Sequence, residues 1–200
     1  RLLKNLKKEP NIGLANLGDT SYLNAVLRCL GHIKSFALFF LDNKIKEYIE
    51  SNAKKSPLSF VTERLFYHFY PYPDKIEIYK PKCYFQILSN LNCIYKENKR
   101  GNPVDLLNFI LSVLHDELNQ AKKNENINNQ CNNKINDYIK HYIDSNNSII
   151  SQTVSWFQET NFTCSQCNDQ NSKFKAYNTF ELDISNTYNN YRNQRNLINR

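Results

Sequence analysis

Two hundred residues with 40% hydrophobic and 13% aromatic content can bury a single-domain core, which excludes a chain disordered throughout. A net charge of +7, spread over scattered lysines, leaves an acidic partner such as RNA open without marking a dedicated phosphate groove. Six cysteines at irregular positions (29, 83, 93, 131, 164 and 167) exclude the framework of a small secreted disulfide domain and point to reduced thiols or a metal site.

No run of 18 apolar residues occurs, so no membrane association is expected, and the chain reads as soluble and intracellular. It starts at Arg1 and contains no Met, which reads as a piece of a longer protein. The mean hydropathy of -0.65 reflects Asn and Lys gathered in a few stretches, expected as loops or insertions.

Pro10 and Gly13 introduce a loop, and then Leu23, Val26, Leu27, Leu30 and Ile33 recur at helical spacing, with Asp19 or Thr20 as N-cap. Phe36 to Leu41 extends the apolar run before a Lys/Asn/Ser stretch ends it near Pro57. A second helix is expected from Leu58 to Tyr70, stopped by Pro71 and Pro73. A third covers Lys82 to Ile94, with Tyr84, Ile87, Leu88 and Leu91 in period. Pro103 opens the strongest helix, whose apolar face is Val104, Leu107, Ile110, Leu111, Leu114 and Leu118. Residues 119–147 read as a surface insertion, part helical around Ile135 to Ile143. From Ile149 the signals turn to strand, flanking Cys164 and Cys167, and residues 186–200 read as a loop or tail.

The chemistry concentrates in Gly13-Leu14-Ala15-Asn16-Leu17-Gly18-Asp19-Thr20-Ser21-Tyr22-Leu23-Asn24-Ala25. It sets Ser21 at a helix start behind a glycine turn, where N–H groups and the helix dipole favour an anion. Such a position activates a thiol but does far less for a hydroxyl without a nearby base. An ordinary N-capped helix would explain Gly18, Thr20 and Ser21, but not Asn16 or Tyr22-Leu23-Asn24.

This stretch resembles the cysteine box of ubiquitin-specific proteases, G-L-x-N-L-G-N-T-C-Y-x-N-S, at Gly13, Leu14, Asn16, Leu17, Gly18, Thr20, Tyr22 and Asn24. The resemblance implies an α+β, papain-like fold: a helical thumb over residues 14–118, the start of β-rich fingers over 149–185, and the palm half lacking. It puts Ser21 in the nucleophile's place and Asn16 in the oxyanion position, with the general base absent from the chain. His115 reads as a histidine held beside the core, and His32, His68 and His141 fall in no motif.

The family's second segment, Q-Q-D-A-x-E-F-L, corresponds to Arg100-Gly101-Asn102-Pro103-Val104-Asp105-Leu106-Leu107, so the polar group that helps hold the substrate's C-terminal tail is lost. Gly101, Val104, Asp105 and Leu107 instead resemble the inactive, tri-snRNP-associated branch, as does Asn24-Ala25-Val26-Leu27. That resemblance implies a nuclear scaffold in pre-mRNA splicing, with spliceosomal proteins as partners, RNA as a further option and ubiquitin binding weakened. Two readings stay open beside it: an active, nuclear or cytoplasmic deubiquitinase captured as a Cys-to-Ser variant at position 21, and a ubiquitin-binding module without catalysis. Cys164 and Cys167 resemble the first zinc knuckle of the fingers, half a tetrahedral site. Cys131 is a weak third ligand, while Cys29, Cys83 and Cys93 are expected as small core residues.

Overall fold

The computed structural model describes residues 12–70, 78–96, 101–121 and 135–180. After the two-residue strand β1 (Gly13–Leu14), α1 (Ser21–His32) turns Tyr22, Leu23, Val26, Leu27 and Leu30 inward, the stripe set by its apolar spacing. α2 (Lys34–Leu41) follows Ile33 and meets α1 at 85°. At this bend a Cβ on Gly31 would sit 2.4 Å from Phe69 Cδ2, so only glycine lets that ring lie against the backbone. The Tyr70 hydroxyl donates to the Gly31 carbonyl at 2.5 Å and ties the same corner.

The Lys/Asn/Ser stretch expected as loop contains a helix, α3 (Asn43–Ser51), capped by the Asp42 carboxylate, which accepts from Lys44 N and Ile45 N. Ile49, fully buried, anchors it, with Ile45 packed partly buried beside it against the core. α4 (Pro57–Phe69) delivers Phe66 and Phe69 to the centre, where Phe66 lies 5.8 Å from Phe36 and 5.6 Å from Phe40, both edge to face. Strand β2 (Ile78–Tyr79) pairs in parallel with β1. α5 (Lys82–Leu91) stops earlier than expected, and Cys93–Tyr95 forms a 3-10 turn. Asn102 caps α6 (Pro103–Leu118) by accepting from Val104 N at 2.9 Å, with Pro103 in the first turn. α6 packs on α1 and α4.

The insertion closes on itself: Gln120 N donates to the Asn147 carbonyl at 2.9 Å. Within it, α7 (Ile135–Ser145) lays Tyr138 and Tyr142 against Phe157 and Phe174 of the strands that follow. Strand structure does not begin at Ile149. Ile149–Thr153 is a short helix, α8, closed by a Ser148/Ser151 capping box, and it sends Ile150 into the core against α2 and α6. Five residues are too few for a helical period to register in sequence. β3 (Trp156–Thr163) and β4 (Gln170–Tyr177) then form an antiparallel hairpin, Trp156 opposite Tyr177 and Thr163 opposite Gln170. A helical body with a separate hairpin is the expected α+β arrangement. Among the described residues no single helix is long and apolar enough to cross a bilayer.

The cysteines correct the sequence reading. Cys29, Cys83 and Cys93 are exposed rather than in the core, because each falls on the outer side of its element while Leu30, Tyr84 and Tyr95 beside them turn inward.

One buried charge sets a pH dependence. Glu63 on α4 is 1% exposed; its Oε2 lies 3.4 Å from Arg64 Nε but accepts no hydrogen bond from the described residues. Burial raises its pKa above the ordinary 4.5, outweighing the lowering by Arg64 and Lys46. A raised folded-state pKa means that the ionised carboxylate costs stability. The cost is absent below the ordinary value and grows as pH rises through the folded one. Glu63→Gln is therefore expected to be more stable than the parent at pH 7.5, the gap closing toward pH 4 in urea denaturation; a gap independent of pH would refute this origin.

Candidate functional site

The loop before α1 is held from three directions. Ala15 N donates to the Tyr79 carbonyl at 2.9 Å, extending the β1–β2 pairing. Asn24, one turn into α1, donates Nδ2 to the carbonyls of Leu14 (3.3 Å) and Ala15 (3.1 Å). Arg28 reaches the Ile12 carbonyl at 2.5 Å. Gly18 sits at φ 109°, a conformation that glycine alone adopts freely, and this turns the chain into the helix.

Thr20, 3% exposed, braces the interior of the loop. Its N–H and hydroxyl both donate to Asn16 Oδ1, at 3.2 and 3.0 Å, while its Oγ1 accepts from Leu17 N at 2.9 Å. The N-cap position is thus Thr20, as expected, but its side chain turns back into the loop and does not cap α1. The Thr20 side chain therefore takes none of the first-turn N–H groups, which in a helix point outward at its positive end. Because Thr20 N can only donate, the Asn16 amide has one orientation: oxygen toward Thr20, NH₂ left over as donor. The residues expected at the nucleophile and oxyanion positions, Ser21 and Asn16, therefore share one braced junction.

Ser21 is exposed and its hydroxyl bonds to no described residue. No described histidine serves it. His32 bonds to the Arg28 carbonyl at 2.7 Å. His68 stacks on Tyr79 with ring centres 4.5 Å apart, its pKa lowered by burial and then by Arg64. His115 Nδ1 lies 2.7 Å from Ser148 Oγ, which gives the histidine beside the core a definite partner. His141 Nε2 is buried without a partner among the described residues.

Gly101 brings the second segment onto the first. A Cβ there would approach the Tyr22 ring to 2.4 Å, so the start of α6 rests on the residue after Ser21. Burial raises the pKa of Tyr22 and of Tyr95, the latter also through Asp105 and Tyr22. Asn102, where the family has an acidic residue, spends its oxygen on Val104 N. Sequence reasoning matched Asn24 and Gly101 to a pattern but missed their work: a clamp on the loop and a seat for Tyr22.

At the hairpin tip, Cys164 N donates to the Asp169 carbonyl and Asn168 N to the Cys164 carbonyl, with Asn168 at φ 57°. N–H groups of Cys167 and then Gln166, with the Cys167 side chain, hold the Cys164 thiol below its usual pKa. Two exposed thiols so placed suit half of a tetrahedral site, and the described residues contain no cluster of three or more ligands. Cys131 lies outside them.

The profile of the family described as ubiquitin carboxyl-terminal hydrolase matches residues 12–195. The chain belongs to that family. Among its relatives, ubiquitin carboxyl-terminal hydrolase 4 of Vanderwaltozyma polyspora is 28% identical over 122 residues, covering 56% of this chain and 14% of the relative. Ubiquitin carboxyl-terminal hydrolase 12 of Saccharomyces cerevisiae is 22% identical over 195 residues, covering 86% of this chain and 15% of the relative. The chain thus spans a small part of these hydrolases' length. A solved structure of the SAGA DUB module, Ubp8 with Sgf11, Sus1 and Sgf73, superposes with a TM-score of 0.50 at 17% identity, over 85% of this chain and 36% of that one, which identifies the fold. Within the hydrolase fold, the braced loop before α1 carries the cysteine-box resemblance, and serine stands in the box's cysteine position.

Proposed function

We propose that this hydrolase-family domain does not cleave ubiquitin and acts by binding. The observation that carries the reading is Ser21: an exposed alcohol at a helix start, with no base within hydrogen-bonding reach among the described residues. Without proton removal an alcohol is a poor nucleophile where a thiolate would act unaided. Asn16, whose NH₂ is left over as donor, would supply an oxyanion contact beside the start of α1. The use of Asn102 as a helix cap supports weak hold on a ubiquitin tail.

Gly101, Val104, Asp105 and Leu107 support the finer assignment to a nuclear scaffold of the tri-snRNP in pre-mRNA splicing, with spliceosomal proteins as partners. Zinc at Cys164 and Cys167, completed by ligands from elsewhere, would stiffen the hairpin tip.

The full-length protein and its Ser21→Cys variant test this together. Neither is expected to release a fluorogenic amide from the ubiquitin C-terminus above background, and both are expected to co-sediment with the tri-snRNP. Robust turnover by Ser21→Cys would overturn inertness in favour of an active protease, and sedimentation apart from the tri-snRNP would remove the splicing assignment.

A further inference from the structure

The register of the β3–β4 hairpin sorts its side chains into two unlike faces. Phe157 and Phe174 point to one side, where Tyr138 and Tyr142 of α7 cover them. The other side carries Trp156, Gln158, Thr160 and Phe162 from β3, opposite Tyr177, Lys175, Lys173 and Asn171 from β4. No described element covers that second face: all of these residues except Trp156 and Tyr177 are exposed, Phe162 to 48%.

Its chemistry is ordered along the strands. An aromatic group stands at each end, Phe162 at the tip and the stacked Trp156–Tyr177 pair at the base, with Phe180, 65% exposed, edge-on to Trp156. Between them lie two lysines whose ammonium groups sit over the rings, Lys173 5.3 Å from the Phe162 centre and Lys175 4.8 Å from that of Tyr177. Among the described residues the face bears no carboxylate, since Glu159 points to the α7 side.

We infer that this hairpin face binds single-stranded nucleic acid: bases stack on Phe162 and the Trp156–Tyr177–Phe180 group while the backbone phosphates meet Lys173 and Lys175. A flat exposed ring and a neighbouring cation repeat the alternation of base and phosphate, and the positive face complements the strand's charge. A duplex keeps its bases stacked on one another and cannot use the rings. An acidic peptide would use the lysines and leave the aromatics idle. The assignment is independent of whether Ser21 is inert.

The test is fluorescence anisotropy of the full-length protein with labelled oligo(U) and oligo(dT) twelvemers, a matched duplex and a polyglutamate peptide. Binding of the single strands, and not of the duplex or the peptide, is expected. Phe162→Ala should weaken it about fivefold or more, with Phe162→Tyr restoring it. Lys173→Glu with Lys175→Glu should abolish binding, and neutral replacement of both should lower the salt slope by about 1.4. Lys54→Glu with Lys55→Glu, the same charge change on the turn after α3, should leave affinity intact. Equal weakening by both charge-reversed pairs would reduce the effect to overall charge and overturn the inference. So would indifference to Phe162→Ala, or tighter binding of the duplex or the peptide. The exposed position of these residues lets each variant keep the parent's thermal melt. Preference between the two oligomers separates RNA from DNA as the natural source.

Discussion

Glu117→Ala is expected to destabilise the domain by about 3 kcal/mol, from the loss of charge-assisted hydrogen bonds to a buried helix start. The side chain reaches across 59 positions of sequence to close the N-terminus of α4: Oε1 accepts from Leu58 N at 3.0 Å, and Oε2 from both Ser59 N and Ser59 Oγ at 2.6 Å. Ser59 is wholly buried, so water cannot replace the carboxylate without opening the seam between α4 and α6. Alanine would strand two N–H groups and a hydroxyl, and remove a negative charge from the positive end of the helix dipole. For a domain of this size the midpoint should fall by roughly 6–12 °C. Glu117→Gln, which keeps one accepting oxygen, should recover part of that. A melt of Glu117→Ala within a degree or two of the parent would show that the contact adds nothing.

Phe66→Ala should cost more, about 4 kcal/mol, through a cavity the surroundings cannot fill. Its ring sits among Phe36, Phe40 and Phe69, with centres 5.6–5.8 Å away, and all four side chains are buried. Phe69 is committed to Gly31 and cannot swing into the space without leaving that corner. Phe66→Leu, which keeps much of the volume, should lose less than half as much. Equal losses for the two variants in denaturant titration would mean that the cluster repacks freely.

Much of this body was legible from apolar spacing alone. α1, α4 and α6 each carry a stripe long enough to impose its period, and Pro57 and Pro103 mark two of their starts, although in α6 Leu106 turns inward where the expected Val104 is 44% exposed. α3 escaped because Ile45 and Ile49 are nearly its whole inward stripe among charged and polar neighbours, and its order depends on the Asp42 cap and on α4 behind it. The exposed cysteines escaped for the converse reason. A small apolar residue beside a core position has the same neighbours in sequence whichever way it turns. At the site, the motif located Ser21 and Asn16, but the brace through Thr20 and the clamp by Asn24 follow from side-chain geometry that no linear pattern states. The seating of Gly101 on Tyr22 joins segments 79 positions apart, a distance at which spacing carries no information.

The joint formed by α8 has a mechanical consequence. Ile150 plugs it into the core, and Ser155 Oγ bonds to Asn178 Oδ1 at 2.7 Å just where the two strands leave the body. An eight-residue strand extends about 27 Å beyond such a pivot. A load taken up at the cysteine turn would act there as a torque, shared between α8, which hands it to the packing of α2 and α6, and the α7 tyrosines that cover Phe157 and Phe174.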